Sequence, residues 1–338
     1  MIERNTAFDR FRGIGAVCVV LLHAPPLFHS SIVALNVAGW ALREICQIAV
    51  PYFFLLSGWM MGVKGAEGKS DAGGMLRTVR RILALYLPWF ALYLAMDIAG
   101  GLPHDPVTVL RRFTSFSNGT VETRGYHLWF LPSLLMAQVL VWSGSRYFGS
   151  RLPTLAIGAC LFLAQAVMEL VGVHLPEGFV PHEGLALSLV CVSLGAWMGS
   201  ESRKSPDRFS HSGAILIACI PMVWVEGVVW DSAIGSSWAI HGFQATRIVL
   251  PALLLLHLHN TPDFWGRRWT GRWLDSLGRN STGIYVSHLA ILTLLPFERW
   301  IPNGFIRANF VAWSATLGIA WAISHVLGSR RSTDWLVR

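Results

Sequence analysis

Charge is what this sequence has least of. Asp, Glu, Lys and Arg make up 14% of its 338 residues, against about 25% in ordinary globular chains. Hydrophobic residues make up 53%, and the mean hydropathy is +0.49. So few charges cannot cover a water-facing surface of this size, and a disordered chain would be more polar still. Lysine is almost missing: Lys64, Lys69 and Lys204 are the only three among 27 basic residues. The net charge of +8 raises nucleic acid as a partner. The arginines, however, fall in short clusters between apolar runs rather than on one stripe, which argues for no nucleic acid. The five cysteines, Cys18, Cys46, Cys160, Cys191 and Cys219, show no CxxC or Cys/His spacing. That leaves no basis for a disulfide framework and predicts no metal. No small-residue cleavage site follows the first apolar run; Pro25 and Pro26 follow it instead. The N-terminal segment therefore reads as a retained helix, not a removed leader.

Long apolar runs fill the rest. Ten can be laid out, at 12–30, 45–63, 82–100, 126–143, 152–173, 183–200, 213–231, 239–259, 281–297 and 307–328. The expected fold is all-α: a polytopic membrane protein with a single bundle of about ten transmembrane helices, residues 1–338 forming one domain in the lipid bilayer. Pro88 and Pro132 interrupt runs, as happens where a helix lines a cavity or is buried in protein. The 101–125 connection is the longest and has room for a re-entrant or interfacial piece. Placing the N-terminus in the cytoplasm puts 20 Lys and Arg inside and six outside, with Arg247 left within a helix. That asymmetry predicts both termini cytoplasmic.

The first run, FDRFRGIGAVCVVLLHAPP, carries Arg12 and, eleven residues later, His23. Eleven helical steps span roughly 16 Å and return to within about 20° of the starting direction, so both side chains share a face. Arg12 then sits at the cytoplasmic mouth and His23 about halfway across. An ionisable group at that depth is costly unless it faces a polar cavity. The plainer alternative is a histidine satisfied by a neighbouring carbonyl and an arginine that anchors the helix end.

Three further patches weigh against that alternative. The second run contains PYFFLLSGWMMG, with Phe53, Phe54, Ser57 and Gly58; the third opens with RTVRRILALYLPW, with Arg77, Arg80 and Arg81; the ninth reads LGRNSTGIYVSHLAI, with Ser281, Tyr285 and His288. In this order they resemble the integral-membrane acyltransferase-3 family. Its hallmarks are an Arg, ten residues and a His in the first helix, an FF-x-x-SG patch, a basic pair three apart before the third helix, and a His closing a Ser…Tyr…His run. HLWFLPSLL at 127–135 resembles the family's fourth-helix patch. Leu85 stands where relatives often carry a further Arg near Pro88, and there is no room for the hydrolase-like domain fused to some members.

The resemblance implies transfer of an acyl group, usually acetyl, from acyl-CoA (acetyl-CoA) to a hydroxyl of a carbohydrate or glycan acceptor. Polysaccharide modification at the bacterial inner membrane would be the setting. Arg12, Arg77, Arg80 and Arg81 would hold the nucleotide phosphates, since guanidinium groups suit bidentate phosphate contact. An extended pantetheine arm matches the Arg12–His23 separation, which brings the thioester to His23. An imidazole there can act as general base at neutral pH. An acetyl-histidine route is the less favoured one.

Other polar residues have two readings each. Tyr285 and His288, the latter about seven residues into the ninth run, could line the donor tunnel or orient His23, or be interhelical hydrogen-bonding glue. Ser57 could touch the pantetheine or, with Gly58, serve close packing. Glu226 and Arg247 fit a buried ion pair or contacts to a polar acceptor. Trp129 fits an interfacial belt or a platform for a sugar ring. Asp97 and Glu169 read as solvated. Two other functions remain compatible with the composition: a transporter or flippase of a small or lipid-linked polar solute, and an N-acetyltransferase of an amino sugar.

Overall fold

A computed structural model describes residues 5–24, 32–114, 123–171, 184–204, 212–234, 245–262, 269–295, 297, 305–330 and 332–337. Among the described residues there is no strand. The helices are α1 (Thr6–His23), α2 (Val33–Cys46), α3 (Ala49–Ala66), α4 (Ala72–Ala99), α5 (Pro106–Phe113), α6 (Phe130–Phe148), α7 (Leu152–Leu170), α8 (Leu185–Lys204), α9 (Ser212–Cys219), α10 (Met222–Ile234), α11 (Thr246–Asn260), α12 (Trp269–Leu294) and α13 (Phe305–Ser329). A 3₁₀ turn, Tyr126–Trp129, leads into α6.

The described part of each expected apolar run is largely helical. Six described stretches are long and apolar enough to cross a bilayer: Val33–Ala66, Ala72–Ala99, Tyr126–Phe148, Leu185–Lys204, Ser212–Val229 and Asn309–Ser329. The protein is therefore a multi-pass, all-helical membrane protein. Charge keeps two helices outside this set: α1 opens with Asp9, Arg10 and Arg12, and α12 with Arg272, Asp275 and Arg279. α11 has only 15 residues.

The boundaries differ from the sequence reading in informative ways. α1 starts at Thr6, not at Arg12, because Asn5 caps it through its side chain to the amides of Ala7 and Phe8. It ends at His23. α2 was not anticipated, and Pro221 separates the expected single run at 213–231 into α9 and α10. The long connection after α4 carries α5, a short helix capped by Asp105 with Pro106 at its first position. The largest shift is in α12, which begins at Trp269, not near 281. Gly278, Asn280, Ser281 and Gly283 resemble a loop by propensity, yet tertiary packing keeps them helical. A Cβ on Gly278 would lie 1.9 Å from the Asp9 carbonyl oxygen, so α1 and α12 pack backbone to backbone there. Arg10 and Asp275 bridge the same pair of helices at 2.8 Å.

α3 and α8 form the central contact by the same device. Gly58 and Gly62 lie against the Val192 and Ala196 carbonyls, while Gly195 and Gly199 lie against those of Leu55 and Trp59. Two glycines four apart on each helix let the backbones meet, the usual solution where lipid supplies no hydrophobic drive. Gly58 is thus a close-packing residue. This crossing leaves the opposite face of α3, with Phe53, Ser57 and Lys64, free to line a cleft.

Candidate active site

A cleft of 690 Å³ opens among α1, α3, α4, α6 and α12. Four cations line it: Arg12, Lys64, Arg81 and Arg279. A second cavity of 420 Å³ shares Ser57, Met60, Lys64 and Arg81 with the first and adds Lys69 and Arg77. Together they make one cationic depression at the end of the bundle where α1 begins. Arg12 is one-third exposed, 3.6 Å from Asp9 and 3.4 Å from the Thr282 hydroxyl. Ser57 lines both cavities and is hydrogen-bonded by the Gln138 amide of α6. Arg80 is exposed and is absent from the described lining of either cavity. Sequence reasoning counted Lys64 and Arg279 as topology signals only. Their signal was there in helical spacing: Lys64 lies seven residues after Ser57, on the same face.

The loop that rims the second cavity is held by charge. Glu67 bonds Lys69 at 2.9 Å and Arg203 of α8, and Arg146 donates to the Ser70 carbonyl. The bond from Lys69, with Arg203 beside it, holds the Glu67 carboxyl below the usual carboxylate range. Asp71 caps α4 through the Gly74 amide and lies 3.9 Å from Arg77.

Inward, the described lining turns apolar through Phe53, Leu56, Ile82, Leu85, Leu131 and Leu134, and ends at Phe130 and Tyr285. Leu85 is thus part of the apolar wall. Behind Tyr285 lie three imidazoles. The His288 ring centroid is 5.0 Å from that of His23 and 4.8 Å from that of His127. His288 and His127 are fully buried at 0% and 2% exposure, and His23 is half-buried. His288 Nδ1 lies 2.6 Å from the Tyr285 carbonyl, so it carries the proton and donates, leaving Nε2 as the lone-pair nitrogen. His23 Nδ1 lies 2.8 Å from the Tyr126 hydroxyl. The Tyr285 hydroxyl donates to the His127 carbonyl.

The structure thus brings together His23, Tyr285 and His288, with Arg12, Ser57, Arg77 and Arg81 around the adjoining cleft. Because α12 starts early, His288 is 19 residues into its helix rather than seven, which places it beside His23. Tyr126 and His127 were missed. They sit on the 3₁₀ turn before α6, where neither helical nor strand periodicity applies; the only hint was their place at the edge of HLWFLPSLL. No three or more His, Cys, Asp or Glu among the described residues are arranged to hold a metal ion.

The remaining candidates lie in other contacts. Trp129 is buried against Phe54 and Phe130, with centroids 6.1 and 6.5 Å away. The Glu226 carboxylate accepts from the amides of Ala245 and Thr246 at the start of α11, at 2.7 and 2.9 Å. Arg247 is held by Glu44 of α2 at 3.3 Å, with Glu44 fully buried. Glu44 went unnoticed because the sequence reading placed it between two runs. Asp97 is not solvated, as expected, but fully buried: it accepts from Thr123 and the Arg124 amide, with Arg112 at 3.6 Å. The Glu169 side chain lies outside the described residues.

Two comparisons bear on this arrangement. The chain is similar to the amino-acid racemase of Enterococcus faecalis (27% identical over 173 residues, 48% of this chain and 22% of that protein). It is also similar to the serine/alanine racemase of Enterococcus gallinarum (29% over 146 residues, 41% of this chain and 20% of that protein). It spans about a fifth of the length of these relatives, so most of each racemase has no counterpart in the match. The family comparison covers far more: the acyltransferase domain matches from residue 5 to residue 328, a stretch holding the cationic cleft, the inner aromatic wall and all three imidazoles. The chain belongs to the acyltransferase-3 family.

Proposed function

We propose that this single transmembrane acyltransferase domain moves an acyl group, acetyl in the first instance, from acyl-CoA to a hydroxyl of a sugar or glycan. The observation that carries the reading is the continuity of the site: a cationic depression leads by an apolar wall to Tyr285, one ring from the His288–His23 pair. Arg12, Lys64, Arg81 and Arg279, with Lys69 and Arg77 on the rim, match the several phosphates of coenzyme A. The apolar stretch suits a pantetheine arm. Ser57 offers the arm a hydrogen bond midway. The excess of basic residues at this end supports a position on the cytoplasmic side of the bacterial inner membrane.

In the reaction, His23 is the general base. In this role its Nδ1–H would donate to the Tyr126 oxygen 2.8 Å away, the tautomer that leaves the Nε2 lone pair for the acceptor's proton. His288 braces the imidazole ring. As the hydroxyl oxygen bonds to the thioester carbonyl carbon, its proton passes to His23 Nε2. The C–S bond then breaks, and the departing thiolate takes that proton. Trp129, Glu226 and Arg247 fit second best in this scheme: each already has a protein partner, which favours scaffolding over acceptor contact. The test is purified protein with acetyl-CoA carrying a labelled acetyl group and a panel of sugars and amino sugars. Acetyl-CoA raises the thermal midpoint and label appears as an ester. A transporter would show neither; label in an amide would make the protein an N-acetyltransferase.

A further inference from the structure

Among the buried polar groups, His127 is the least accounted for. Its ring is 2% exposed, and among the described residues neither Nδ1 nor Nε2 has a hydrogen-bond partner. The Tyr285 and Val286 carbonyls lie close enough to act electrostatically on the ring, but neither meets hydrogen-bond geometry with it. Each carbonyl already accepts a side-chain donor, Tyr285 from His288 Nδ1 and Val286 from the Tyr93 hydroxyl at 2.9 Å. A neutral imidazole carries one N–H in either tautomer. Here that N–H is buried without an acceptor, which costs stability unless a ligand supplies one.

Its position says which ligand. His127 packs on Tyr93, Tyr285 and His288, with ring centroids 5.2, 5.4 and 4.8 Å away. Tyr285 is the inner wall of the cleft, and its hydroxyl is tied to the His127 carbonyl, so wall and imidazole are one unit. His23 stands on the other side of His288. A thioester arriving past Tyr285 would have the base on one side and an unspent N–H donor on the other. We propose that His127 is a further catalytic residue, whose ring N–H donates to the acyl carbonyl oxygen and stabilises the negative charge that develops there.

This rests on the acyl-transfer reading and adds one step to it. As the acceptor oxygen bonds to the carbonyl carbon and its proton goes to His23, the C=O π electrons move onto oxygen. His127 holds that oxygen by its N–H without giving up the proton. The electrons return as the C–S bond breaks. The donor is buried and already oriented, which is where such a bond acts most strongly.

The test compares wild type, His127→Phe, His127→Gln and His127→Ala in detergent with acetyl-CoA. His127→Phe keeps a ring and loses the donor; His127→Gln keeps an N–H donor. The expected result is a fall in kcat of about 10²–10³-fold for His127→Phe, with acetyl-CoA affinity within about threefold of wild type and partial recovery in His127→Gln. Binding gives a second readout. Wild type should prefer the ketone analogue of acetyl-CoA, with sulfur replaced by methylene, over the S-ethyl thioether that lacks a carbonyl, and His127→Phe should lose that preference. Wild-type-like turnover in His127→Phe, or equal losses of kcat and donor affinity, overturns the His127 assignment alone. Should His127→Phe not fold, a failure of His127→Gln to outperform His127→Ala overturns it. A wild-type protein with no acetyl transfer overturns the acyl-transfer reading as well.

Discussion

Replacing Tyr126 by Phe removes one atom from the site. The Tyr126 hydroxyl lies 2.8 Å from His23 Nδ1, and the ring centroids are 5.5 Å apart, so Phe keeps the ring and removes the hydrogen bond to His23. A neutral hydrogen bond contributes about 0.5–1.5 kcal/mol. Lost here, that energy no longer favours the tautomer with Nε2 free, and the ratio of the two tautomers shifts against it by about 2- to 12-fold. The expected outcome for Tyr126→Phe is therefore a kcat lower by at most that factor, with donor affinity unchanged because Tyr126 is absent from the described cleft lining. Steady-state kinetics with varied acetyl-CoA, beside calorimetric binding, reads both quantities. An unchanged kcat would show that Tyr126 does not set the state of His23. A parallel loss of donor affinity would show that it acts through the shape of the cleft.

Further outcomes follow from the geometry. Arg81 lines both cavities and Arg80 neither, so Arg81→Ala should weaken acetyl-CoA binding about tenfold and flatten its salt dependence, while Arg80→Ala changes it less than twofold; titration at two ionic strengths separates them. Glu44→Ala should destabilise the protein by about 3–5 kcal/mol, because it leaves Arg247 buried with its carboxylate removed. Thermal unfolding in detergent checks this, and Glu44→Met with Arg247→Met should recover most of the loss. The Glu67 carboxyl titrates below its unfolded value, so its clip on Lys69 and Arg203 is complete above the ordinary carboxylate range and is released as pH falls through the lowered value. Proteolysis of the 67–71 loop should rise across that acid window in wild type and be high at all pH values in Glu67→Gln.

What could be read from sequence depended on how regular the local geometry is. Arg12 and His23 lie on one uninterrupted helix, where 3.6-residue spacing places side chains reliably, so their shared face was legible. The apolar runs located the helices but not their ends. α12 extends a dozen residues further than its hydropathy because Gly278 packs on the α1 backbone, a tertiary contact with no local signature. That extension decides where His288 lies. Tyr126 and His127 were hidden by a 3₁₀ turn, and Glu44 by a helix that reads as a connection. Lys64 and Arg279 were visible as charges, but only the folded cleft separates a cation that lines it from one that merely marks topology.

The central claim is that donor binding and chemistry occupy opposite ends of one path, the cations at its mouth and His23 at its inner end. One measurement addresses it directly: acetyl-CoA affinity and acetyl transfer determined side by side for Arg12→Ala and His23→Ala. The account predicts that His23→Ala abolishes transfer while binding acetyl-CoA within about threefold of wild type, and that Arg12→Ala weakens binding and regains turnover at saturating donor. Measurable wild-type turnover in His23→Ala, or unchanged donor affinity in Arg12→Ala, would contradict it.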